Sequence, residues 1–435
     1  MKKIYACLFS CFSFTSLFSQ TLYFPPITGD SWETIDPQSL NWCDEKINHL
    51  YDFLEEKNTK AFLLLKDGKI VLEQYFNGHG QDSLWYWASA GKSVTAALVG
   101  IAQEEGQLDI YDRTSDYLGT GWTSVSPENE DLIKVWNQLT MTTGLNDGVA
   151  EPDCTTPDCL QFKIEADDRW AYHNAPYTLL SKVIESASGQ NFNTFYFSRL
   201  SSKTGMGGLW VYLGYNHVLF SKARGMARFG LLMQNNGYWE NTPVLSDQAY
   251  LNDMINTSQD LNKSYGYLWW LNGKESYKLP GFQIDIPGPL CPDAPADMYA
   301  AMGKNGQFLN IAPSRGLVLV RMGESPDGLL VPNLLNNEIW QYVNDLECEP
   351  NAVVEDVFEE VKVFPNPAGQ YLFFDLPAST HEFEIEIWSA LGIKILTNQN
   401  SYKIDVSNLK AGIYFFRIKI NDRYFSNSFT VEKKG

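Results

Sequence analysis

The sequence predicts an α+β domain followed by a small all-β domain, and three patterns lead to this prediction. Two strand-like runs lie within Ala61–Phe76 around the turn at 66–69, as in a β-hairpin. Helical patterns fill the middle of the chain, most clearly at Tyr177–Ser188 and Ala223–Gln234. Strand patterns return at Tyr265–Trp270 and Met298–Met322. Strands at both ends with helices between them predict a sheet that is closed by the termini of its own domain.

The order of these patterns predicts four segments in the 435 residues. Residues 1–20 resemble an export signal, because two lysines precede an apolar stretch that ends at a small residue. Residues 21–348 form the α+β domain, and 349–360 are an acidic linker without an apolar period. Residues 361–435 form the all-β domain, a sandwich with predicted strands at Tyr371–Leu376, Phe383–Trp388, Ile413–Ile420 and Phe425–Val431.

Composition and charge exclude several classes of protein. The chain is 44% hydrophobic and 20% charged, which is typical of globular domains. Its net charge of -19 repels phosphate backbones, so we expect no nucleic-acid partner. The sequence lacks a run of roughly 20 apolar residues, and no transmembrane segment is predicted.

Cysteine usage suits an oxidising compartment. Seven cysteines are present, and two of them lie in the predicted signal. Cys154 and Cys159 flank a turn-like loop that could let them pair. The pairing of Cys43, Cys291 and Cys348 is left open.

Ser89 and Lys92 are the first candidates for catalysis. They are three residues apart at the start of a predicted helix, so both side chains lie on one face. A serine hydroxyl needs a proton acceptor to become a nucleophile, and a lysine with a lowered pKa can serve. The pattern also occurs at Ser407–Lys410, where a strand follows instead of a helix. The alternative for Ser89 and Lys92 is a helix-capping serine and a solvated lysine.

Tyr172 and Asn174 lie on a polar segment just before a second helical stretch. A tyrosine there could pass protons between the nucleophile, the lysine and the leaving group. Asn174 could orient either the substrate carbonyl or the lysine. The alternative for Tyr172 is a half-buried aromatic side chain with a satisfied hydroxyl.

Other chemistries have little support in the sequence. The five histidines are scattered, without a metal-ligand spacing, so we predict no metal site. No Gly-x-Ser-x-Gly elbow and no nucleotide-binding glycine motif occurs, so we predict no cofactor. Asp147, Asp153, Asp158, Asp167 and Asp168 are interpreted as a solvated acidic loop.

These residues resemble the motifs of the β-lactamase-related serine hydrolases, which include class C β-lactamases, DD-peptidases, carboxylesterases and 6-aminohexanoate-dimer hydrolases. The likeness covers Ala61–Met322 and includes the stretches 139–145 and 223–230. It implies a β-lactamase/transpeptidase-like antiparallel sheet, flanked by helices and by an all-helical lobe. It also implies an acyl-enzyme on Ser89, with Lys92 as the base and Tyr172 as the proton shuttle, and makes Asn174 a substrate contact.

The third family motif departs from the β-lactamase pattern. β-Lactamases carry Lys-Thr-Gly on the strand beside the site, and the corresponding place here falls near Met298–Ala300, which has no cation. The stretch Gly303–Gln307 instead resembles the esterase and oligomer-hydrolase branch. The backbone N–H groups of Ser89 and of a residue near Ala301 are the candidates for an oxyanion hole. Gly303 is a further candidate site residue, and Lys304 is either a substrate contact or a solvated turn lysine.

The C-terminal domain resembles the type A sorting domain of the type IX secretion system. The likeness rests on the stretches 363–368, 405–414 and 429–431, of which the first contains Pro-Asn-Pro. It implies the type IX secretion machinery as a partner, and a secreted or cell-surface location in a Bacteroidota-like bacterium. The alternative is a binding sandwich, for example for carbohydrate.

The sequence therefore predicts a secreted serine hydrolase that acts on a small ester, an amide or a peptide-like substrate. One alternative is a β-lactamase or DD-peptidase, which the missing Lys-Thr-Gly disfavours. Another is a surface binding protein on an inactive scaffold, which would have no use for the Ser-x-x-Lys and Tyr-x-Asn pairs. Several tryptophans are candidates either for an apolar cleft or for the core: Trp85, Trp87, Trp170, Trp269 and Trp270.

Overall fold

The computed structural model describes residues 22–324, 329–348, 361–376, 382–420 and 423–433. The predicted signal peptide and the predicted linker lie outside these residues. Contacts within the chain divide it into two compact units, with the boundary after Cys348. Each unit buries a hydrophobic core of its own.

Amphipathic segments of the first unit fold into its α-helices. They are α1 (Asp44–Glu56), α2 (Gly91–Glu104), α3 (Thr114–Leu118), α4 (Pro127–Glu130), α5 (Val135–Thr140), α6 (Asn174–Thr178), α7 (Leu180–Ser188), α8 (Phe192–Tyr196), α9 (Ser202–Thr204), α10 (Ala223–Gln234), α11 (Gln248–Met254) and α12 (Asn333–Asn344). A π-helical turn at Phe197–Ser201 joins α8 to α9. Most of these helices lie in sequence between the strands that begin and end the main sheet.

The main sheet has six antiparallel strands in the order β2-β1-β13-β12-β11-β8. The strands of the first unit are β1 (Thr59–Lys66), β2 (Lys69–Tyr75), β3 (Trp85–Tyr86), β4 (Leu209–Leu213), β5 (Asn216–Ser221), β6 (Tyr238–Trp239), β7 (Thr242–Pro243), β8 (Trp270–Leu271), β9 (Ser276–Tyr277), β10 (Ile286–Pro287), β11 (Tyr299–Gly303), β12 (Gln307–Ala312) and β13 (Leu317–Gly323). β1 pairs with β13, so the first and last strands of the unit meet, and the predicted α+β fold is confirmed.

Helices cover both faces of this sheet. Successive side chains of a strand point to opposite faces. In β12, Leu309 packs closely beneath Gly230 of α10, whereas its neighbour Asn310 exchanges hydrogen bonds with Asn336 of α12. α10 and α12 therefore lie on opposite faces, which explains why β12 and β13 are buried along their whole length.

Two predicted elements are interrupted in the structure. The helix predicted over Tyr177–Ser188 begins earlier and consists of α6 and α7, which meet at Leu179. The strand predicted over Tyr265–Trp270 folds back on itself, with a bridge between its two ends. The reason is a turn at Leu268, which has a φ of 60° and donates its N–H to Leu139 O at 3.0 Å.

The second unit consists of β-strands: β14 (Lys362–Phe364), β15 (Tyr371–Asp375), β16 (Phe383–Ser389), β17 (Lys394–Gln399), β18 (Lys403–Asp405), β19 (Gly412–Ile420) and β20 (Arg423–Val431). They form a three-stranded sheet, β14-β15-β18, and a four-stranded sheet, β17-β16-β19-β20. Leu372 of the first sheet and Ile385 of the second belong to one buried cluster, so the two sheets share a core. The four strands predicted here are all present, whereas β14, β17 and β18 are short or largely exposed and were not predicted.

Two disulfides cross-link the first unit. The predicted Cys154–Cys159 bond is present and closes a short loop. Cys43, just before α1, pairs with Cys348, after α12, across 305 residues. Cys291 is a free, buried thiol.

Candidate active site

Ser89 lies in a tight turn at the start of α2. Trp87, which is fully buried, anchors this turn to β5: its N–H donates to Leu219 O and its Nε1 donates to Ser221 Oγ, both at 2.8 Å. Ala88 then has a φ of 47°, in the left-handed region that costs an alanine about 1 kcal/mol. The buried anchor holds this backbone, and the Ser89 side chain lines an open cavity beside it.

Lys92 is the direct partner of Ser89. Its Nζ lies 2.8 Å from Ser89 Oγ, and its side chain is almost fully buried. Burial disfavours the ammonium form and lowers the pKa of Lys92 to about 7, against the opposing attraction of Asp153. A large share of Lys92 is therefore a neutral amine near pH 7, and a neutral amine accepts the proton of a serine hydroxyl.

Two tyrosine rings enclose the Lys92 amino group. The ring centroids of Tyr172 and Tyr177 lie 5.0 and 4.2 Å from Nζ. The Tyr172 side chain interacts with that of Ser89, and its ring stacks on Trp270 with centroids 5.6 Å apart. Burial holds the pKa of Tyr172 well above its usual value of 10. Tyr172 is therefore a phenol at neutral pH, with a proton to donate next to the nucleophile.

Asn174 begins α6 and is held by a carboxylate. Its Nδ2 donates to Asp153 Oδ1 at 2.8 Å, and Asn216 Nδ2 donates to Asp153 Oδ2 at 2.9 Å. These two bonds fix the orientation of the Asn174 amide. Its Oδ1 is buried and has no hydrogen-bond partner among the residues that the structure describes. This oxygen is an acceptor available to a ligand N–H.

Gly303, at the end of β11, lies directly against the Ser89 turn. A Cβ placed on Gly303 would lie 2.5 Å from Trp87 O and 3.1 Å from Ser89 N, so only glycine fits. Ala301 lies two residues earlier, is buried, pairs with Leu309 in the sheet and does not line the cavity. Within the described part of the chain, the N–H groups of Ser89 and Lys304 donate no hydrogen bond.

The cavity beside Ser89 has a volume of about 260 Å³. Its lining contains both polar and apolar side chains: Tyr86, Ala88, Ser89, Lys92, Asp153, Asn174, Tyr177, Leu213, Asn216, His217, Val218, Lys304 and Leu330. None of the five tryptophans considered for a cleft lines it. Four of them are fully buried, and Trp85 is partly buried.

Sequence reasoning missed several residues of this cavity. Asp153 was interpreted as part of a solvated loop, although its position beside a disulfide cysteine could have indicated an ordered side chain. Asn216 and His217 begin β5, where nothing in the sequence marks them as parts of the site. Burial and the loss of hydration lower the pKa of His217 to about 4, so its imidazole is neutral near pH 7.

Asp153→Asn is expected to shift the pH profile of turnover. The negative charge of Asp153 raises the pKa of Lys92, so its removal lowers that pKa below about 7. Since the neutral amine is the active form, activity appears as the pH rises through the Lys92 pKa. The acid limb of kcat/KM should therefore move to lower pH, as measured with an ester substrate from pH 5 to 9.

Asp158→Asn is the matched control, because Asp158 is an exposed carboxylate in the same disulfide loop. Its acid limb should coincide with that of the wild type. An acid limb that stays in place or moves to higher pH in Asp153→Asn would contradict the electrostatic link between Asp153 and Lys92.

The first unit matches the family model described as Beta-lactamase over residues 55–329. The fold and the serine–lysine pair thus define the class, and the chain belongs to the β-lactamase family, whose members are serine hydrolases. A curated relative is the 6-aminohexanoate-dimer hydrolase of Paenarthrobacter ureafaciens. It is 22% identical over 320 residues, which cover 63% of this chain and 74% of the relative.

Solved structures share the fold. A penicillin-binding protein homologue from Caulobacter crescentus superposes with a TM-score of 0.55 at 12% identity, covering 73% of this chain and all of that one. A family VIII carboxylesterase superposes with a TM-score of 0.53 at 15% identity, covering 73% of this chain and 99% of that one. These identities establish the architecture alone.

The second unit matches the model of a secretion system C-terminal sorting domain over residues 362–432. The chain thus carries the type IX export signal of Bacteroidota, which directs proteins to the cell surface or the medium. Among the described residues, no helix combines the length and the apolar character needed to cross a membrane.

Proposed function

We propose that the protein is a secreted esterase or amidase that acts through an acyl-enzyme on Ser89. The observation that carries this proposal is the buried Lys92 amine, 2.8 Å from Ser89 Oγ and with a pKa of about 7. A lysine in solvent would be protonated and could not accept a proton. A structural salt-bridging lysine would have a carboxylate partner, whereas Lys92 contacts a hydroxyl and two aromatic rings.

The reaction follows from these positions. Ser89 Oγ attacks the substrate carbonyl carbon while its proton moves to Lys92 Nζ. The N–H groups of Ser89 and Lys304 stabilise the resulting oxyanion. Tyr172 donates its hydroxyl proton to the leaving alkoxide or amine and regains a proton from Lys92. Water then attacks the acyl-enzyme by the same route in reverse, which releases the acid and restores Ser89.

Two features of the cavity favour a small ester or amide. Leu213, Val218 and Leu330 offer an apolar surface, while the free Asn174 Oδ1 accepts a hydrogen bond from a substrate N–H. The curated relative named for a 6-aminohexanoate dimer and the carboxylesterase neighbour represent these two substrate classes. The site residues of the proposal are thus Ser89, Lys92, Tyr172 and Asn174, with Gly303 positioning the Ser89 turn.

A β-lactamase or DD-peptidase activity is the second candidate, and Lys304 is the observation that favours it. Its side chain is exposed, lines the cavity and follows Gly303 directly. An ammonium group there could replace the cation missing at Met298–Ala300. Efficient turnover of a chromogenic cephalosporin, lost in Lys304→Ala, would establish this second function.

A fluorophosphonate probe tests the proposal. Ser89 Oγ displaces fluoride from phosphorus, so the intact mass of the wild type should increase by one adduct, and Ser89→Ala should show none. Ser407→Ala is the matched control, because Ser407 begins the other Ser-x-x-Lys copy and should leave labelling unchanged.

Turnover of p-nitrophenyl esters, a small amide and the cephalosporin in the same preparations assigns the substrate class. Ester or amide hydrolysis that requires Ser89 supports the proposal. An adduct that persists in Ser89→Ala, or a wild type that neither labels nor turns over any substrate, would refute it and favour a binding protein.

A further inference from the structure

A cluster of three polar side chains lies beside the active site and takes no part in the proposed chemistry. Asn305 Nδ2 donates to the Tyr86 hydroxyl at 2.7 Å and to Glu324 Oε2 at 2.9 Å. The Tyr86 hydroxyl donates to Glu324 Oε1 at 3.4 Å. Each member contacts the other two, so this tyrosine–asparagine–glutamate cluster is closed.

The cluster joins the two backbone segments that supply the proposed oxyanion hole. Tyr86 ends β3, three residues before Ser89, and Asn305 directly follows Lys304. These segments are 219 residues apart in sequence. The free N–H groups of Ser89 and Lys304 belong to them, so a bond between Tyr86 and Asn305 constrains the separation of the two N–H groups.

A buried arginine anchors the third member. Arg321 of β13 has no exposed surface, and its Nη2 donates to Glu324 O at 2.9 Å. Its Nη1 donates to Asn305 O at 3.0 Å and to Gly306 O at 2.8 Å. A buried guanidinium charge has no water to stabilise it and relies on hydrogen bonds to these carbonyl oxygens. Moving the oxygens away would therefore be costly. The turn after β11 and Glu324 are therefore held from inside the sheet as well.

We propose that Tyr86, Asn305 and Glu324 are positioning residues that set the geometry of the oxyanion hole. The inference rests on the proposed acyl-enzyme function of Ser89. None of the three side chains reacts; they act through the backbone of the Ser89 turn and of Lys304. Stabilisation of an oxyanion requires both donors about 2.7–3.1 Å from the developing charge, and small displacements of the donors are costly.

Asn305→Gly is the decisive variant. Asn305 has a φ of 65°, which glycine adopts freely, and Asn305 does not line the cavity. We expect kcat to fall about 10- to 100-fold with a nearly unchanged KM, since the loss occurs in the transition state. The affinity for an arylboronic acid, which forms a tetrahedral adduct with serine, should fall by the same factor as kcat/KM.

Three further variants test whether the loss of kcat in Asn305→Gly comes from breaking the hydrogen-bonded cluster. Asn236→Gly replaces another asparagine of positive φ, 53°, which is exposed, and should change neither kcat nor boronate affinity. Asn305→Asp keeps the shape but replaces the donor to Glu324 with a second carboxylate, so charge repulsion should open the cluster and the variant should resemble Asn305→Gly. Tyr86→Phe in the Asn305→Gly background should cause little additional loss, because both changes break the same connection.

The outcomes separate the inference from the function on which it rests. Ser89-dependent turnover in the wild type, with kcat and boronate affinity in Asn305→Gly within twofold of the wild type, would overturn the positioning role and leave the hydrolase intact. A change confined to KM would overturn it too, since it would mean that the cluster affects substrate binding alone. A wild type without Ser89-dependent turnover would overturn both.

Discussion

Lys92→Met is expected to lower kcat/KM by about 10⁴- to 10⁶-fold, the range typical of losing one member of a catalytic unit. Methionine matches the length and the apolar stem of lysine, so it should fill the space between Tyr172 and Tyr177 without a proton-accepting amine. Removing a buried amine also removes the cost of its desolvation, so the variant should be at least as stable as the wild type. Ester turnover measures kcat/KM, and thermal unfolding measures the stability of the variant.

Lys92→Arg distinguishes a base from a fixed positive charge. The guanidinium stays protonated at every accessible pH, so the arginine variant should be about as inactive as the methionine variant. Lys163→Met serves as the matched control, because Lys163 is exposed and does not line the cavity. Retention of wild-type activity in Lys92→Arg would mean that Lys92 acts through its charge, and that another group accepts the Ser89 proton.

Removing the Cys43–Cys348 disulfide should lower the free energy of unfolding of the first unit by about 2–5 kcal/mol. The bond closes a loop of 305 residues, so in the unfolded chain it restricts far more conformations than the Cys154–Cys159 bond, which spans five. The double variant Cys43→Ser/Cys348→Ser avoids creating a new unpaired thiol beside the buried Cys291 thiol that the wild type already has. Denaturant unfolding under oxidising conditions measures the change.

Cys154→Ser/Cys159→Ser is the comparison, and it should reduce stability by about 2 kcal/mol or less. Its effect should appear in activity, because Cys154 directly follows Asp153 and restrains the loop that carries this carboxylate. Equal losses of stability in both double variants, or a larger loss from the short loop, would contradict the assignment of the long disulfide as the main cross-link.

The fold class and part of the site could be predicted because their signals are local. Strand and helix periodicity predicted the sheet and α10, and the pattern of the C-terminal strands predicted their sandwich. Ser89 and Lys92 lie one helical turn apart, so their spacing along the chain already implied contact. Tyr172 and Asn174 were singled out by their polar segment before a helix, but only the resemblance to a family motif connected them to Ser89, since nothing in their spacing does.

Long-range packing determined the rest. The pKa of Lys92 depends on burial by side chains from distant segments, which no local pattern encodes. Three segments converge at the cavity: the disulfide loop beside Asp153, the hairpin that contains Asn216, and the turn between β11 and β12 that supplies the free N–H of Lys304. The sequence by itself therefore determined the fold class, the serine–lysine pair and the sorting domain. The tertiary structure decided the pKa of Lys92, the polar side chains that line the cavity and the positions of the two free N–H groups. These properties arise from contacts between residues that are far apart along the chain.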